Sequence, residues 1–216
     1  MIVHDVQQGT EEWKSLRLGI PTASELDNLI TDAGMPRKGE MPRTYRAVKL
    51  AERWTGAPLQ SFGGGVIEQG KIGEAEAVSR YEFDHDCKVE RAGFITTDDK
   101  RFGCSPDGVV SNAYGLEIKC PQPVNHIKWL LAGGVPDEHI LQCHGGMYAT
   151  GMDRWRFVSY CPGFPMLVAD VARDGDMIDA ISEALEAFHE QLEQDYARLI
   201  ELRGSKKEEG DEEHQF

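Results

Sequence analysis

Between Cys104 and Pro121 the chain carries Ser105-Pro106-Asp107-Gly108 and, with nine residues between Asp107 and its first member, the triplet Glu117-Ile118-Lys119. No other stretch constrains the fold as strongly. In a strand, successive side chains point to opposite faces, so Glu117 and Lys119 share one face while Ile118 points into the core. Asp107, arriving from a neighbouring strand or turn, then joins them at a sheet edge. Two carboxylates with open positions suit Mg²⁺, which takes hard oxygen ligands and keeps several waters. A lysine beside such a metal can orient or deprotonate an attacking water, or stabilise charge developing on phosphate. The pattern therefore points to a divalent-metal site for phosphodiester cleavage. The competing reading is bland: Asp-Gly is a common turn, and an acid-x-lysine triplet occurs in many strands as a solvated cross-strand pair. The triplet alone does not choose between them, and the flanking segments have to.

At 216 residues the chain suits one domain with a sizeable core. Its net charge of −14, from 37 acidic against 23 basic residues, runs against a general nucleic-acid binder, which favours a basic surface. Part of the excess sits after Gly204, where Lys206 and Lys207 face Glu208, Glu209, Asp211, Glu212 and Glu213. A protein that encloses DNA needs positive charge only where the duplex passes, and an acidic exterior discourages binding elsewhere. Five cysteines, an odd number without a CxxC pair, together with the lack of a signal peptide or an apolar run of transmembrane length, make the cytoplasm with reduced thiols the expectation, and no membrane. A zinc site from Cys143-His144 with Cys120 and His126 is rejected, because the spacings match no standard pattern and buried thiols commonly act as small hydrophobes.

Thr10 followed by Glu11 and Glu12 reads as a helix start, ending near Gly19, and Pro21 to Ser24 opens a second helix through about Thr31. Asp32 to Pro42 reads as a mobile loop and Arg43 to Thr55 as an amphipathic helix stopped by Gly56. After a Gly63-Gly64-Gly65 linker, Val66 to Phe83 reads as a helix whose Gly70 and Gly73 suggest close approach to another segment. Strands follow at Cys87 to Thr97, Gly103 to Ser111 and Leu116 to Cys120, then helices at Val124 to Leu131 and Asp137 to Thr150, then strands at Trp155 to Tyr160 and Met166 to Val171. Ile178, Ile181, Leu185, Phe188, Leu192, Tyr196 and Leu199 repeat at three and four and mark one long C-terminal helix covering the sheet. The expected architecture is α/β, a central mixed β-sheet flanked by helices, with an N-terminal helical extension. Residues 1–203 form one domain, and 204–216 an acidic disordered tail.

Four segments carry a family resemblance: Trp13-Lys14-Ser15-Leu16-Arg17-Leu18-Gly19, Thr22-Ala23-Ser24, Cys104-Ser105-Pro106-Asp107-Gly108 and Gly115-Leu116-Glu117-Ile118-Lys119-Cys120-Pro121. In order and spacing, from about Trp13 to Tyr160, they resemble the lambda-type alkaline exonucleases of phage recombination, within the PD-(D/E)xK nuclease superfamily. The resemblance implies a restriction-endonuclease-like core and a Mg²⁺-dependent 5′→3′ exonuclease. Such an enzyme degrades one strand of linear double-stranded DNA from a 5′-phosphorylated end to 5′-mononucleotides, leaving a 3′ overhang. It further implies a ring-shaped homotrimer, a single-strand-annealing protein as partner, and a phage or prophage gene expressed in a bacterial host.

By the same resemblance Glu74 is the helix-borne third acid, so Glu74, Asp107, Glu117 and the carbonyl of Ile118 hold two Mg²⁺ or Mn²⁺ ions, with Lys119 as the catalytic lysine. Clustered acids would repel one another without such cations. Arg17, Ser24, Ser105 and Gln142 match a pocket for the terminal 5′ phosphate, and Thr22, in the same segment as Ser24, is a candidate DNA contact. Arginine's planar fork can grip phosphate at two oxygens, although an arginine at a helix end is ordinarily a cap on carbonyls. Gln142 lies where a core-facing helix would prefer an apolar residue, so it needs a partner. Ile67 resembles a wedge that frays the duplex end, and Arg37 and Lys38 are candidate duplex contacts; the ordinary reading is a packed isoleucine and solvated loop charges. Two alternatives remain: an endonuclease of the same superfamily, which shares Asp107, Glu117 and Lys119 without needing Arg17, and a non-catalytic DNA-binding module.

Overall fold

Thr10 starts the first regular helix as its sequence requires, extended at φ −73° and ψ 163°, with its hydroxyl accepting from the Trp13 amide. The computed structural model describes residues 1–59 and 67–212, the side chains of 67–72 and 204–212 excepted. In chain order the elements are β1 (Ile2–His4), α1 (Glu11–Leu16), a short 3-10 helix (Ala23–Asn28), α2 (Glu40–Thr55), α3 (Ile67–His85), β2 (Phe94–Thr96), β3 (Gly103–Cys104), β4 (Gly108–Val110), β5 (Tyr114–Lys119), α4 (Pro123–Ala132), α5 (Asp137–Thr150), β6 (Arg154–Ser159), β7 (Leu167–Ala172) and α6 (Gly175–Glu212).

The fold is mixed α/β, as expected, but the sheet is divided. One sheet has the order β1-β2-β3 and the other β4-β5-β6-β7. The single strand expected over Gly103 to Ser111 is broken by Ser105-Pro106-Asp107: Pro106 has no N–H to give a ladder, and the chain turns there. The expected strand at Cys87 to Thr97 shrinks to β2, and β1, absent from the sequence reading, pairs with β2 antiparallel, Val3 opposite Ile95. In the second sheet β5 runs antiparallel to β4 and parallel to β6, with Glu117 opposite Phe157 and Lys119 opposite Ser159.

Helices cover both faces of this sheet. Leu116 and Ile118 of β5 point to one side and pack with Ala77 and Tyr81 of α3 and with Val158 and Tyr160 of β6. The α3 backbone comes as close as the sequence suggested, since a Cβ at Gly73 would sit 3.1 Å from the Cys120 side chain. On the other side Leu141, Cys143 and Met147 of α5 join Trp155, the 3-10 helix and α6 in the larger core.

Three further expectations change. The segment after Pro21 is a six-residue 3-10 helix instead of a second α-helix, because Thr22 gives no side-chain cap and the chain leaves helical pairing by Leu29. The expected loop ends earlier, at Gly39, and Pro42 lies in the first turn of α2, where a missing N–H costs nothing. The stripe of α6 is buried from Ile178 to Leu192, but α6 lies against α5 and α2 instead of roofing the sheet directly. Its backbone stays helical through Gly204 and Gly210 as far as Glu212, since each glycine costs a helix only ~1 kcal/mol; the rest of the expected tail, like the Gly63-Gly64-Gly65 linker, lies outside the described residues.

Candidate active site

Asp107 is locked to β5 by two bonds. Its amide donates to the Leu116 carbonyl at 3.1 Å, and its Oδ2 accepts from the Ile118 amide at 2.6 Å. The Pro106 turn thus brings Asp107 against the strand carrying Glu117, although neither residue is near the other in sequence. Lys119 and Glu117 share a face as the two-residue spacing demands, with Nζ 2.6 Å from Oε1. Glu117 is buried while Lys119 is about one-third exposed.

Charge in this group is strained. Burial, then repulsion from Glu117 and Glu74, pushes the Asp107 carboxyl well above the usual carboxylate range, against the pull of the Ile118 amide and Lys119. Burial also raises Glu117, opposed by Lys119 and by a hydrogen bond from Gln142. For Lys119, burial alone would favour the neutral amine, but the attraction of Glu117 outweighs it and the net shift is upward. Among the described residues the buried Glu117 and the half-buried Asp107 therefore share one ammonium, which is the electrostatic setting that a hard cation relieves.

A narrow recess opens beside Glu117, lined by Arg17, Thr22, Ser24, Ser105 and Gln142, with about 30 Å³ of room where one ordered water needs ~10–15 Å³. The half-buried Arg17 lies over the Trp13 ring at 4.3 Å. Its only polar contacts among the described residues are long, 3.4 Å to Ser105 Oγ and 3.3 Å to Thr22 Oγ1. Burial draws its pKa down, against the raising pull of Glu25, yet a guanidinium stays charged throughout the working pH range. Trp13 holds Ser105 by an indole N–H at 2.9 Å. Trp155 also lines the recess, and its buried indole N–H has no hydrogen-bond partner among the described residues.

The recess thus gathers Arg17, Ser24, Ser105 and Gln142 as the resemblance implied. Gln142 finds the partner its position called for, and that partner is Glu117. Thr22 is 1 % exposed, and its hydroxyl donates to Glu25 Oε2 at 2.8 Å and accepts from Arg17 at 3.3 Å. Arg37 is tied through Nε to the Asp27 carbonyl, while Lys38 is exposed. The side chain of Ile67 lies outside the described residues. Glu74 is half-buried on α3 and is felt electrostatically by Asp107 and Glu117, but among the described residues no three acidic, thiol or imidazole groups are drawn together at metal-ligand spacing. The rejected zinc set does not assemble: both ring nitrogens of His126 are taken, by Ser159 Oγ at 2.7 Å and the Pro165 carbonyl at 3.0 Å.

Sequence reading missed the roles of Trp13, which stacks under Arg17, and of the buried Lys49, which lies between Glu25 and Glu52. Trp13 was legible only as part of a motif, and Lys49 offers only an ordinary i,i+3 pairing with Glu52, which does not announce burial, while its other partner Glu25 is distant in the chain.

A mixed α/β core that sets an acid from a turn beside an acid and a lysine on one strand is the architecture of PD-(D/E)xK-like nucleases. A family model for the YqaJ-like viral recombinase domain matches residues 12–153, and the chain belongs to that family. Among solved structures, the alkaline exonuclease LHK-Exo from Laribacter hongkongensis is 30% identical, over 91% of this chain and 99% of its own, with a TM-score of 0.81. The same figures hold for LHK-Exo in complex with dAMP. A phage related exonuclease from Haemophilus somnus shares the fold, with a TM-score of 0.64 at 14% identity, over 83% of this chain and 96% of its own. No curated protein matches the chain. Family and structural relatives together mark the protein as a nuclease of the viral recombinase type. Among the described residues no helix is long and apolar enough to cross a membrane.

Proposed function

We propose that the protein is a divalent-metal-dependent 5′→3′ exonuclease that shortens one strand of linear duplex DNA from a 5′-phosphorylated end. It releases 5′-mononucleotides and leaves a 3′ overhang for a single-strand-annealing partner, in a ring of three subunits in the host cytoplasm. One observation carries the reading: Glu117 belongs to the hydrolytic group and also forms a wall of the Arg17 recess. An anion-sized recess that shares its wall with the reactive carboxylate holds a strand terminus within reach of the adjoining phosphodiester, which an endonuclease does not need. The occurrence of LHK-Exo with a bound deoxynucleoside monophosphate supports a mononucleotide product.

In this scheme Asp107, Glu117 and the Ile118 carbonyl, with Glu74 as a further donor, hold Mg²⁺ or Mn²⁺. When bound, such an ion supplies Lewis-acid polarisation of phosphate and a more acidic water. The donor set suits it, being hard oxygen in excess of the local positive charge. Arg17 grips the terminal phosphate with its free N–H groups, while Ser105 and Ser24 add hydroxyl donors. Gln142 holds the Glu117 carboxylate in place. Lys119, protonated beside Glu117 in the metal-free site, donates to the attacking water or to a phosphate oxygen as charge builds.

The test is digestion of end-labelled linear duplexes, 5′-phosphorylated or 5′-hydroxyl, with and without Mg²⁺, beside closed circular plasmid. Mononucleotide release from phosphorylated ends only with metal, and an intact circle, are expected. Nicking of the circle would instead favour an endonuclease, and Asp107→Ala with unchanged DNA binding and no change in cleavage would remove the catalytic assignment.

A further inference from the structure

On the far side of the Ser105-Pro106-Asp107 turn from the recess lies a much larger cleft of about 450 Å³. Pro106 lines both, so the turn is the partition between them: the recess side presents Ser105, and the cleft side presents Asp107. The remaining cleft wall comes from the segment Asp5 to Gln8, from Glu74 and Ala75, and from Arg91 to Gly93. Among the described residues Arg91 is the one cation lining it, beside three acids, Asp5, Glu74 and Asp107. That arginine is exposed, and its guanidinium has no ion-pair or hydrogen-bond partner among the described residues. A free guanidinium facing an acidic cleft is not explained by stability. It is placed for an anion brought in from outside.

The backbone that carries Arg91 is held firmly. Gln8 Nε2 donates to the carbonyls of Ala92 at 3.3 Å and Pro106 at 3.0 Å, tying two cleft walls together. At Gly93 a Cβ would fall 1.9 Å from the Val6 carbonyl oxygen, so only glycine lets the two segments lie this close. Arg91 therefore projects from a braced wall instead of a free loop.

We infer that this cleft receives the strand on the 3′ side of the scissile phosphate, and that Arg91 binds its next backbone phosphate. The inference rests on the exonuclease reading, because it takes the recess as the seat of the terminal phosphate. With the 5′ end in the recess and the bond to be cut beside Asp107 and Glu117, the continuing strand has to pass the Pro106 partition. The cleft is the space that opens there, and its volume is of the size that accommodates a nucleotide-sized group. In a chain of net charge −14, Arg91 supplies positive charge at the point where the strand leaves the acids that hold the metal. Arg91 is thus a positioning residue for the strand, distinct from the terminal-phosphate contact of Arg17.

The experiment measures binding of a fluorescent 5′-phosphorylated duplex with Ca²⁺ in place of Mg²⁺, as a function of salt, for the full chain and for Arg91→Ala, Arg91→Lys and Arg91→Glu. Loss of one phosphate contact lowers the slope of log affinity against log salt by about 0.9 and weakens binding about tenfold at ~100 mM salt. Arg91→Lys keeps the slope, and Arg91→Glu weakens binding beyond Arg91→Ala. In Mg²⁺, Arg91→Ala raises KM while the ratio of rates on phosphorylated and hydroxyl ends stays at the parent value, since Arg17 governs it. An unchanged slope and KM in Arg91→Ala overturns the phosphate contact while leaving the nuclease reading intact. A lowered slope with no hydrolysis by the parent protein sinks the nuclease reading and leaves the contact standing, and a parent protein that does not bind duplex at all overturns both.

Discussion

Gln142 on α5 hydrogen-bonds Glu117 on β5, so one side chain belongs both to the wall of the Arg17 recess and to the carboxylate that faces Lys119. The bond orients a buried acid that has an ammonium on its other side at 2.6 Å. Removing the amide leaves that carboxylate less well fixed and raises its proton affinity. Gln142→Ala is expected to lower kcat and to weaken metal binding by about 10–100-fold, as outer partners of ligating groups commonly do. A Mg²⁺ titration of activity checks this, and an unchanged half-saturating concentration would show that Gln142 serves the recess alone.

Arg17 offers a fork of donors held by Trp13 stacking and two long hydroxyl contacts. Arg17→Ala should bring the rates on phosphorylated and hydroxyl ends together, mainly by slowing the former. Arg17→Lys should restore little, because a point charge cannot make the two-oxygen grip. A lysine variant with full end preference would mean that charge alone, not the fork, is what the recess uses.

The sequence carried these residues unevenly. Glu117 and Lys119 were legible because strand alternation fixes their shared face from spacing alone. The α5 helix, with its residues Asp137–Thr150, was readable to the residue from its flanking Pro136 and Gly151. The junction at Pro106 was not: the same motif that marks the site also ends β3 and starts β4 in a different sheet, which local pattern cannot reveal. The short β1 was invisible for a related reason, since three residues gain strand character only by pairing with β2 some ninety positions away. Ser105 and Gln142 were assigned by resemblance, and only folding shows that both meet at one wall of Glu117.

Among the described residues Lys119 is the one ammonium paired with Glu117, and it also pulls on Asp107. Lys119→Ala should cost about 10²–10³-fold in kcat, the range seen when one donor to developing charge is lost, with a smaller change in duplex affinity. Single-turnover cleavage with protein in excess separates the two. A loss confined to affinity would move Lys119 from the chemistry to binding.

The carboxyl groups give the metal-free protein an unusual pH response. Asp107 and Glu117 are both raised, chiefly by burial, so between the ordinary carboxylate value and the raised one the folded state binds more protons than the unfolded chain. Stability then falls as pH rises through that window. In EDTA, Tm should drop as pH rises above the unfolded Asp value of about 3.9 and through the raised folded one. Mg²⁺ should restore Tm most at the alkaline end, and Asp107→Asn should flatten the EDTA profile. Identical profiles for the parent and Asp107→Asn in EDTA would mean that Asp107 is ionised in the metal-free fold.

Behind the recess Lys49 is buried with Nζ at 3.2 Å from Glu25 and 3.3 Å from Glu52. Glu52 also accepts from the Gly19 amide at 3.2 Å, and Glu25 holds the hydroxyls of Thr22 and Tyr45. One ammonium thus fixes the turn after Arg17 and the start of the 3-10 helix together. Its removal leaves Glu52 in the interior without its ion-pair partner, and breaking one side of a buried pair costs about 3–5 kcal/mol. Lys49→Met should lower the urea midpoint accordingly, and adding Glu52→Gln should recover a large part of the loss, because the second change removes the uncompensated charge. In the single variant the end preference should weaken as well, since Thr22 and Arg17 lose their backing. A Lys49→Met protein with the parent midpoint and undiminished end preference would show that Glu25 and Glu52 are held by other means, and that the recess does not depend on this network.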